Sequence, residues 1–515
     1  MAGFYFTAES SWSPYVVLVL ALVVVAANRL ARTKRSNDWL NHIPMLEFED
    51  GDNSTERYIR DTWALLRAGY HKYTKRGMPF QMRNPADPDH PQVVLPAEYL
   101  SEVKSAPESR FSFRLYSEQA FLLNYSHAPK QTDGTTHIVR NEMNKNIGAL
   151  LEATQEEIEL ALGSKLPNST TWEPVTPYMT LAYTTSRAIA RVLGGRELSG
   201  SEEWIGLNVG ITGMTHQAGQ QIREQYPRPL RWMARWRHPG ARAVVATRRR
   251  SAQIVDPIIQ KRLAGAQDAK TGEPDAIQWM LATRDGRRPS AQEVADEQLF
   301  LGIASVHTTS ATSLSILYDL LDRPDVVEEI IGEINAVAGR HKDAGGRWTK
   351  QALSELEKLD SFMAESFRFN PVGLVTMQRS AVVDYVFKDG LRLPKHTQIL
   401  FPTCEFNRDE DVHQSPDVFD PWRFLKMRKA GDPNKHHFAY VSDQMVGFGA
   451  GTHACPGRYF ASYEIKLMLI YMLTRYDIKW PDGLSRPPNM AHDFSNIPNP
   501  TATVLFRKRH GPGAS

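Results

Sequence analysis

One stretch, residues 448–458, constrains the fold of this 515-residue chain more than any other. It reads Phe-Gly-Ala-Gly-Thr-His-Ala-Cys-Pro-Gly-Arg and contains Cys455, one of two cysteines in the sequence. Gly449 and Gly451 lack side chains, so the backbone there can lie against a large flat neighbour. Pro456 suits the first turn of a helix, and the apolar segment after it predicts that a helix follows. Cys455 is therefore expected at a helix N-terminus, where unpaired N–H groups stabilise a thiolate that can bind a metal.

Composition narrows the possible functions without choosing one. The apolar share of 42% supports a large buried core, and a net charge of +3 gives no reason to expect a nucleic-acid partner. Two cysteines cannot build a disulfide framework, which fits a reducing compartment. Cys404 lies in an apolar run and is interpreted as a core residue. A buried structural cysteine before a core helix is also the alternative interpretation of Cys455.

The N-terminus predicts a membrane anchor over residues 1–35, with a spanning helix at about residues 12–31. Residues 12–27 are almost wholly apolar, and basic residues follow the span but do not precede it. The positive-inside rule then places the remainder of the chain in the cytosol. A cleaved signal peptide is the alternative, although its basic residues normally come before the apolar core. Residues 36–54 are predicted to be a linker, and residues 55–515 the catalytic body.

A long apolar helix without proline is predicted over residues 290–321. Its middle, residues 304–310, is rich in small and hydroxyl side chains, which are locally unfavourable inside a helix. They make sense if a flat group lies close to the helix. Thr308 can both donate and accept a hydrogen bond, and His307 can relay protons near neutral pH. The alternatives are a packed core histidine and a threonine bonded to its own helix.

Two further motifs carry charge. Glu365 and Arg368 are three residues apart and can pair on one helix face. A lone Glu-x-x-Arg is a weak signal, and its weight comes from its place before the segment 420–424, which contains Arg423. Residues 223–250 interleave arginines with Trp232 and Trp236. That pattern is open to three interpretations: a nucleic-acid surface, an interfacial membrane contact or a solvated helix face.

The cysteine stretch resembles the haem-binding signature of the cytochrome P450 family. The pattern Phe-x-x-Gly-x-His-x-Cys-x-Gly is filled by Phe448, Gly451, His453, Cys455 and Gly457. The three other motifs occur in the order and spacing of the family, and the resemblance covers roughly residues 55–507. It implies a mainly α-helical fold with small β-sheets that encloses haem b, preceded here by a single transmembrane helix.

The resemblance also implies roles for individual residues. Cys455 would be the metal ligand, the axial thiolate of the haem iron, and Thr308 would help to deliver protons to oxygen. His307 stands where the family has an acid. The haem would also be in contact with Phe448, Gly449 and Gly451. Its propionates would be bound by His453, Arg140 and Arg379.

Some of these implied roles depart from the family pattern or concern structure alone. Thr136 replaces the tryptophan that the family has four residues before Arg140, with His137 as a neighbouring substitute, and a solvated arginine is the alternative for Arg140. The network formed by Glu365, Arg368 and Arg423 would serve folding and haem retention. The predicted substrate pocket is lined by Phe300, Ile303, Ala304, Val372, Leu374, Val375 and Ile497.

The implied activity is a monooxygenase that uses O2 and electrons from NADPH through a separate NADPH–cytochrome P450 reductase, with cytochrome b5 as a second candidate partner. Residues 303–310 resemble fungal enzymes of secondary metabolism that oxidise terpenoids. The predicted function is therefore hydroxylation or successive oxidation of a lipophilic, terpenoid-like intermediate. Desaturation, epoxidation or ring formation on the same scaffold is the first alternative, and a non-catalytic haem carrier the second. The expected location is the endoplasmic reticulum membrane, single-pass, with a cytosolic catalytic domain and no nucleic-acid partner.

Overall fold

Helices make up most of the computed structural model, which describes residues 38–85, 87, 91–264, 274–282, 288–342 and 345–509. The helices are α1 (Thr55–Lys72), α2 (Leu100–Val103), α3 (Phe113–Ala120), α4 (Leu123–Ser126), α5 (Asp133–His137), α6 (Ile147–Lys165), α7 (Pro177–Ser199), α8 (Glu202–Gln225), α9 (Arg231–Arg237), α10 (Pro239–Ala264), α11 (Ala276–Ala282), α12 (Ala291–Leu321), α13 (Pro324–Arg340), α14 (Lys350–Ser354), α15 (Glu357–Phe369), α16 (Thr403–Phe406), α17 (Arg423–Ala430) and α18 (Arg458–Arg475). A π-helical segment, Ile138–Met143, follows α5.

The strands form four small sheets. They are β1 (Phe80–Met82), β2 (Gln92–Val94), β3 (Phe111–Ser112), β4 (Glu173–Val175), β5 (Thr376–Ala381), β6 (Tyr385–Val386), β7 (Arg392–Leu393), β8 (Gln398–Phe401), β9 (Tyr476–Lys479), β10 (Met490–His492), β11 (Ser495–Ile497) and β12 (Val504–Lys508). The largest sheet has the order β1-β2-β8-β5-β3, in which only β2 and β8 are parallel. A three-stranded sheet, β4-β12-β9, and the pairs β6-β7 and β10-β11 complete the set. The predicted fold class, mainly α with small sheets, is confirmed for the described residues.

Helix α12 is the central element of the fold. Ser290 and Glu293 form a reciprocal capping box at its start, because each side chain accepts a hydrogen bond from the backbone N–H of the other. The helix packs against α7, α8, α10, α15 and α18. Within the described residues it is the one helix long and apolar enough to cross a membrane, and 67% of its most apolar window is buried in the protein. We therefore describe α12 as a core helix.

The N-terminal boundary of the body differs from the prediction. The predicted anchor helix, at about residues 12–31, lies outside the described residues. Part of the predicted linker packs onto the body, since Ile43 and Leu46 are 3% and 6% exposed. The Leu46 N–H donates to the carbonyl of Gln81, and the Tyr58 hydroxyl donates to the carbonyl of Leu46. These apolar residues are too few and too close to an acidic run to be recognised as core from the sequence.

Candidate active site

The loop before Cys455 is held in a shape that requires glycine. Gly449 and Gly451 have φ angles of 78° and 60°, in the left-handed region that other residues rarely adopt. A Cβ atom on Gly451 would also lie 2.7 Å from the carbonyl oxygen of Lys104. The loop closes on itself through the Cys455 N–H, which donates to the carbonyl of Phe448 at 2.7 Å. The Lys104 segment therefore approaches closely at Gly451, and the approach of a large flat neighbour to this loop stays a prediction.

Helix α18 begins at Arg458, with Gly457 as its N-cap, so it starts later than Pro456. The backbone N–H groups of Gly457 and Arg458 nevertheless lie close enough to Cys455 to favour its thiolate. Burial acts in the opposite direction and raises the pKa of the Cys455 thiol. Cys455 is nevertheless exposed, so a ligand can reach this residue.

A second accessible surface lies in the middle of α12. Ala304 and Thr308 are exposed, whereas most of the helix around them is buried. They are four residues apart and therefore share one helix face. The Thr308 hydroxyl donates to the carbonyl of Ala304 at 2.8 Å. Exposure in the centre of a core helix indicates an internal space along this face, and α12 packs against α18, the helix that follows Cys455.

The basic residues predicted to bind propionates lie around the cysteine loop. Arg140, in the π-helical segment, donates from Nη2 to the carbonyl of Thr452 at 2.7 Å. His453 Nε2 lies 3.0 Å from the carbonyl oxygen of Ala106. The loop and the π-helical segment are thus in direct contact although they are far apart in the sequence.

Arg379 supplies the clearest test of whether an anionic group fits here. Its side chain is buried, its Nε has no hydrogen-bond partner, and no ion pair to it is seen among the described residues. Burial lowers the pKa of Arg379 to about 10. A buried cation without a carboxylate partner is costly and suits a negatively charged ligand. With the glycine cradle and Cys455, the residues present fit a haem with its propionates at Arg379.

His137 and His307 are not placed as the sequence suggested. His137 is exposed, and its Nδ1 contacts Asn141 of its own helical region at 2.8 Å. His307 is engaged at both ring nitrogens: Nδ1 lies 2.9 Å from the Tyr178 hydroxyl, and Nε2 lies 2.9 Å from the Val209 carbonyl oxygen. These contacts join α12 to α7 and α8. His307 therefore links helices in this structure, and its role as a proton relay stays a prediction.

The charge network behind the loop is assembled as the motifs predicted. Glu365 is fully buried and accepts from Arg368 Nε at 2.8 Å and from Arg423 Nε at 3.1 Å. Two carbonyl groups, those of Asn407 and Pro416, accept from Arg368 Nη1. Every charge in the network is thus paired or hydrogen-bonded, which is the condition under which a buried ion pair can be kept.

Sequence reasoning missed two groups near this network. Burial beside Arg368 and Arg423 lowers the pKa of His413 to about 4. Asp360 forms a second buried network, with Arg428 Nη1 at 3.1 Å and Lys466 Nζ at 2.9 Å. No local motif announces this network, because its members lie on three helices that meet only in the folded protein.

The predicted pocket walls divide into two sets. The accessible members are Phe300, Ile303, Ala304, Val372 and Ile497. Leu374 and Val375 are only 0% and 7% exposed, because they pack in an apolar cluster with Tyr58 and Leu65. Neither side chain is accessible in this structure, in contrast to the other predicted wall residues.

Comparisons with known proteins agree with this arrangement. The family profile described as Cytochrome P450 matches residues 96–505. Cytochrome P450 monooxygenase cheE of Chaetomium globosum is 89% identical over 99% of this chain and 99% of its own length. Cytochrome P450 monooxygenase ccsG of Aspergillus clavatus is 43% identical over 93% and 95% of the two chains. Pyrichalasin C-7 hydroxylase of Pyricularia grisea is 39% identical over 94% and 95%.

Solved structures show the same fold at low sequence identity. The chain in "Retinoic acid bound cyanobacterial CYP120A1" is 18% identical, with a TM-score of 0.65 over 88% of this chain and 96% of that one. The cytochrome P450DA heme domain is 17% identical, with a TM-score of 0.67 over 91% and 98%. With the matched profile and the monooxygenase relatives, the chain belongs to the cytochrome P450 family and is a haem-dependent monooxygenase.

Proposed function

We propose that this enzyme hydroxylates, or successively oxidises, a lipophilic intermediate of a fungal secondary metabolite. The observation that carries the proposal is the face of α12 that is open at Ala304 and Thr308 and bordered by accessible apolar side chains. A mostly apolar pocket with few polar groups suits a lipophilic substrate. Similarity to a relative named as a hydroxylase, 39% identical, supports hydroxylation over the alternative of desaturation or ring formation.

Cys455 would hold the haem, and the bound haem would supply the activation of dioxygen, which an electron-donating thiolate favours. The residues of this chain position that chemistry. Arg140, His453 and Arg379 would hold the propionates, and the Glu365 network would serve folding and haem retention. The Thr308 hydroxyl donates a hydrogen bond to the carbonyl of Ala304. The same hydroxyl can instead direct its proton into the internal space beside α12. We propose that electrons come from NADPH through a separate reductase, with cytochrome b5 as a second donor.

The chemical class of the substrate is tested by a separate experiment. The prediction of a terpenoid-like substrate rests on residues 303–310. Within that segment, His307 packs between helices. Microsomes that contain the full chain, a reductase and NADPH should be offered a terpenoid and, separately, the substrate of pyrichalasin C-7 hydroxylase, with products identified by mass. Gain of one oxygen atom from either compound supports hydroxylation or epoxidation and identifies the substrate class. Loss of two hydrogens would contradict it in favour of desaturation. A reduced carbon-monoxide difference spectrum without the thiolate band would contradict every enzyme interpretation.

We also propose that the chain is anchored in the endoplasmic reticulum membrane by residues 1–35, with a cytosolic catalytic body. The apolar run at residues 12–27 and the basic residues after it support this proposal. A second contact is proposed at α9, where Trp232 and Trp236 are 55% and 63% exposed beside Leu230. The arginines interleaved with them suit anionic lipid head groups.

A further inference from the structure

Strand β5 contains an irregularity beside the cysteine loop. Its pairing with β8 shifts between Thr376 and Arg379, so that β5 has one residue more than β8 at this point. One extra residue in a strand forms a β-bulge, which redirects the side chains around it. Within this bulge Met377 has a φ angle of 51°, in the left-handed region that a bulky side chain rarely adopts. A conformation of this kind persists only where its surroundings fix it, and it often marks a functional position.

The Met377 side chain ends on the backbone of the cysteine loop. Its Sδ accepts a hydrogen bond from the Ala450 N–H, with the two heavy atoms 3.3 Å apart. Met377 and Ala450 are 4% and 2% exposed, so water has little access to this contact. A Cβ atom on Gly449 would lie 3.7 Å from the same sulfur. A thioether is a weak acceptor, but among the described residues it is the one acceptor seen for the Ala450 N–H.

Two neighbours of Met377 extend the same connection. The Thr376 hydroxyl donates to the carbonyl of Val446 at 3.0 Å, just before the cysteine loop. Arg379 Nη2 lies 4.0 Å from the Met377 sulfur. The bulge therefore joins the loop that carries Cys455 to the arginine expected to hold a propionate. Haem is a rigid group, so the residues that bind its iron and its propionate must keep a fixed separation.

We propose that Met377 is a positioning residue for the haem: its thioether fixes the backbone of the cysteine loop through the Ala450 N–H and holds that loop at a set distance from Arg379. The residue acts through the loop, because its sulfur bonds to the loop backbone rather than to Cys455. Methionine suits this position because it combines an apolar, unbranched side chain with an acceptor atom. This role is independent of which substrate the enzyme oxidises.

Two substitutions at Met377 separate a hydrogen-bonding role from a packing role. Met377→Leu keeps an apolar side chain but leaves the buried Ala450 N–H without an acceptor, which is destabilising. Met377→Gln has a similar length and offers a stronger acceptor, although it buries more polar atoms. A hydrogen-bonding role therefore predicts that haem retention decreases in the order native, Met377→Gln, Met377→Leu. A packing role predicts the order native, Met377→Leu, Met377→Gln.

Haem release from the full-length haem-loaded protein is measured as transfer to an excess of apomyoglobin. Deuterium exchange of residues 446–454 is followed by mass spectrometry on the same samples. We expect Met377→Leu to release haem about fivefold faster than the native protein, because one buried hydrogen bond is lost, and to lose the protection of one amide in this segment. Met377→Gln should release haem close to the native rate and keep that amide protected. The reduced carbon-monoxide difference spectrum should lose more of the thiolate band in Met377→Leu than in Met377→Gln.

The matched control is Met82 in β1 of the same sheet, which is 1% exposed and whose sulfur accepts no hydrogen bond seen among the described residues. Met82→Leu should leave haem release unchanged. Met82→Gln should lower the thermal unfolding temperature more than Met82→Leu, which is the order expected of a packing site. Haem release from Met377→Leu at the native rate would overturn the proposal. Faster release from Met377→Gln than from Met377→Leu, or failure of Met377→Gln alone to bind haem, would also overturn it.

Discussion

Arg379 shows how one residue can reveal a missing anion. Most buried cations in this protein meet a carboxylate, as Arg368 and Arg423 meet Glu365. Arg379 instead donates to the neighbouring carbonyl of Gln378 and leaves Nε unpaired. Since an uncompensated buried charge destabilises a fold, its retention is best explained by a ligand that supplies the charge.

We therefore predict that Arg379→Leu lowers haem retention. The variant loses the cation that offsets a propionate, so its ratio of haem to protein after gel filtration should fall at least severalfold. The protein without haem should be no less stable than the native protein without haem, because an unpaired buried cation has been removed. Arg249→Leu, at an exposed site on α10, is the control. Unchanged haem content in Arg379→Leu would contradict the assignment.

A second residue-scale prediction concerns pH. Glu464 on α18 is 1% exposed with an unpartnered Oε1, and burial raises its pKa from 4.5 to about 8. Between these values the folded state keeps a proton that the unfolded chain has lost. Glu464 therefore makes the free energy of unfolding fall as pH rises from 4.5 to 8.

Glu464→Gln should remove this contribution. Relative to the native protein, the variant should gain stability at pH 8 and differ little near pH 4.5, as measured by urea unfolding at both values. Glu328→Gln, at an exposed site on α13, should follow the native pH dependence. If Glu464→Gln loses stability equally at both pH values, the carboxyl has an unseen partner and the pKa argument fails.

At the scale of elements, the loop of residues 448–457 is shaped by contacts outside itself. Lys104, just after α2, closes over Gly451, and Arg140 in the π-helical segment holds the carbonyl of Thr452. The loop therefore depends on these two other parts of the chain for its conformation. Helix α12 shows the same dependence, because His307 ties it to α7 and α8.

The loop offers a matched pair of glycine substitutions. Gly451→Ala combines a positive φ angle with a Cβ placed 2.7 Å from the carbonyl oxygen of Lys104. Gly483→Ala has a similar φ of 79° but open space around the new atom. We expect about 1 kcal/mol of destabilisation at Gly483 and clearly more at Gly451, with loss of haem only there. Thermal unfolding and haem content measure both effects, and equal losses at the two sites would contradict the contact with Lys104.

At the scale of the whole molecule, the proposed membrane contacts lie at residues 1–35 and at α9. The two tryptophans of α9 are neighbours, with ring centroids 6.0 Å apart, and both are more than half exposed. A chain that lacks residues 1–35 should still bind vesicles containing anionic lipid, more weakly than the full chain. Trp232→Ser with Trp236→Ser should reduce that binding at least severalfold in a sedimentation assay. The control removes two exposed apolar side chains elsewhere, Val418→Ser with Leu484→Ser. Equal binding of the two double variants would exclude α9 as the contact.

The sequence alone predicted the residues that would hold the haem. Cys455, the glycines before it and the Glu365–Arg368 pair could be predicted because each is a local motif whose spacing carries its meaning. Tertiary structure alone decided which side chains reach the pocket. Leu374 and Val375 are apolar like Val372 but pack against α1, and His307 meets partners 129 and 98 residues away. The difference is physical: a motif fixes local backbone and ligand geometry, whereas burial depends on how distant helices pack.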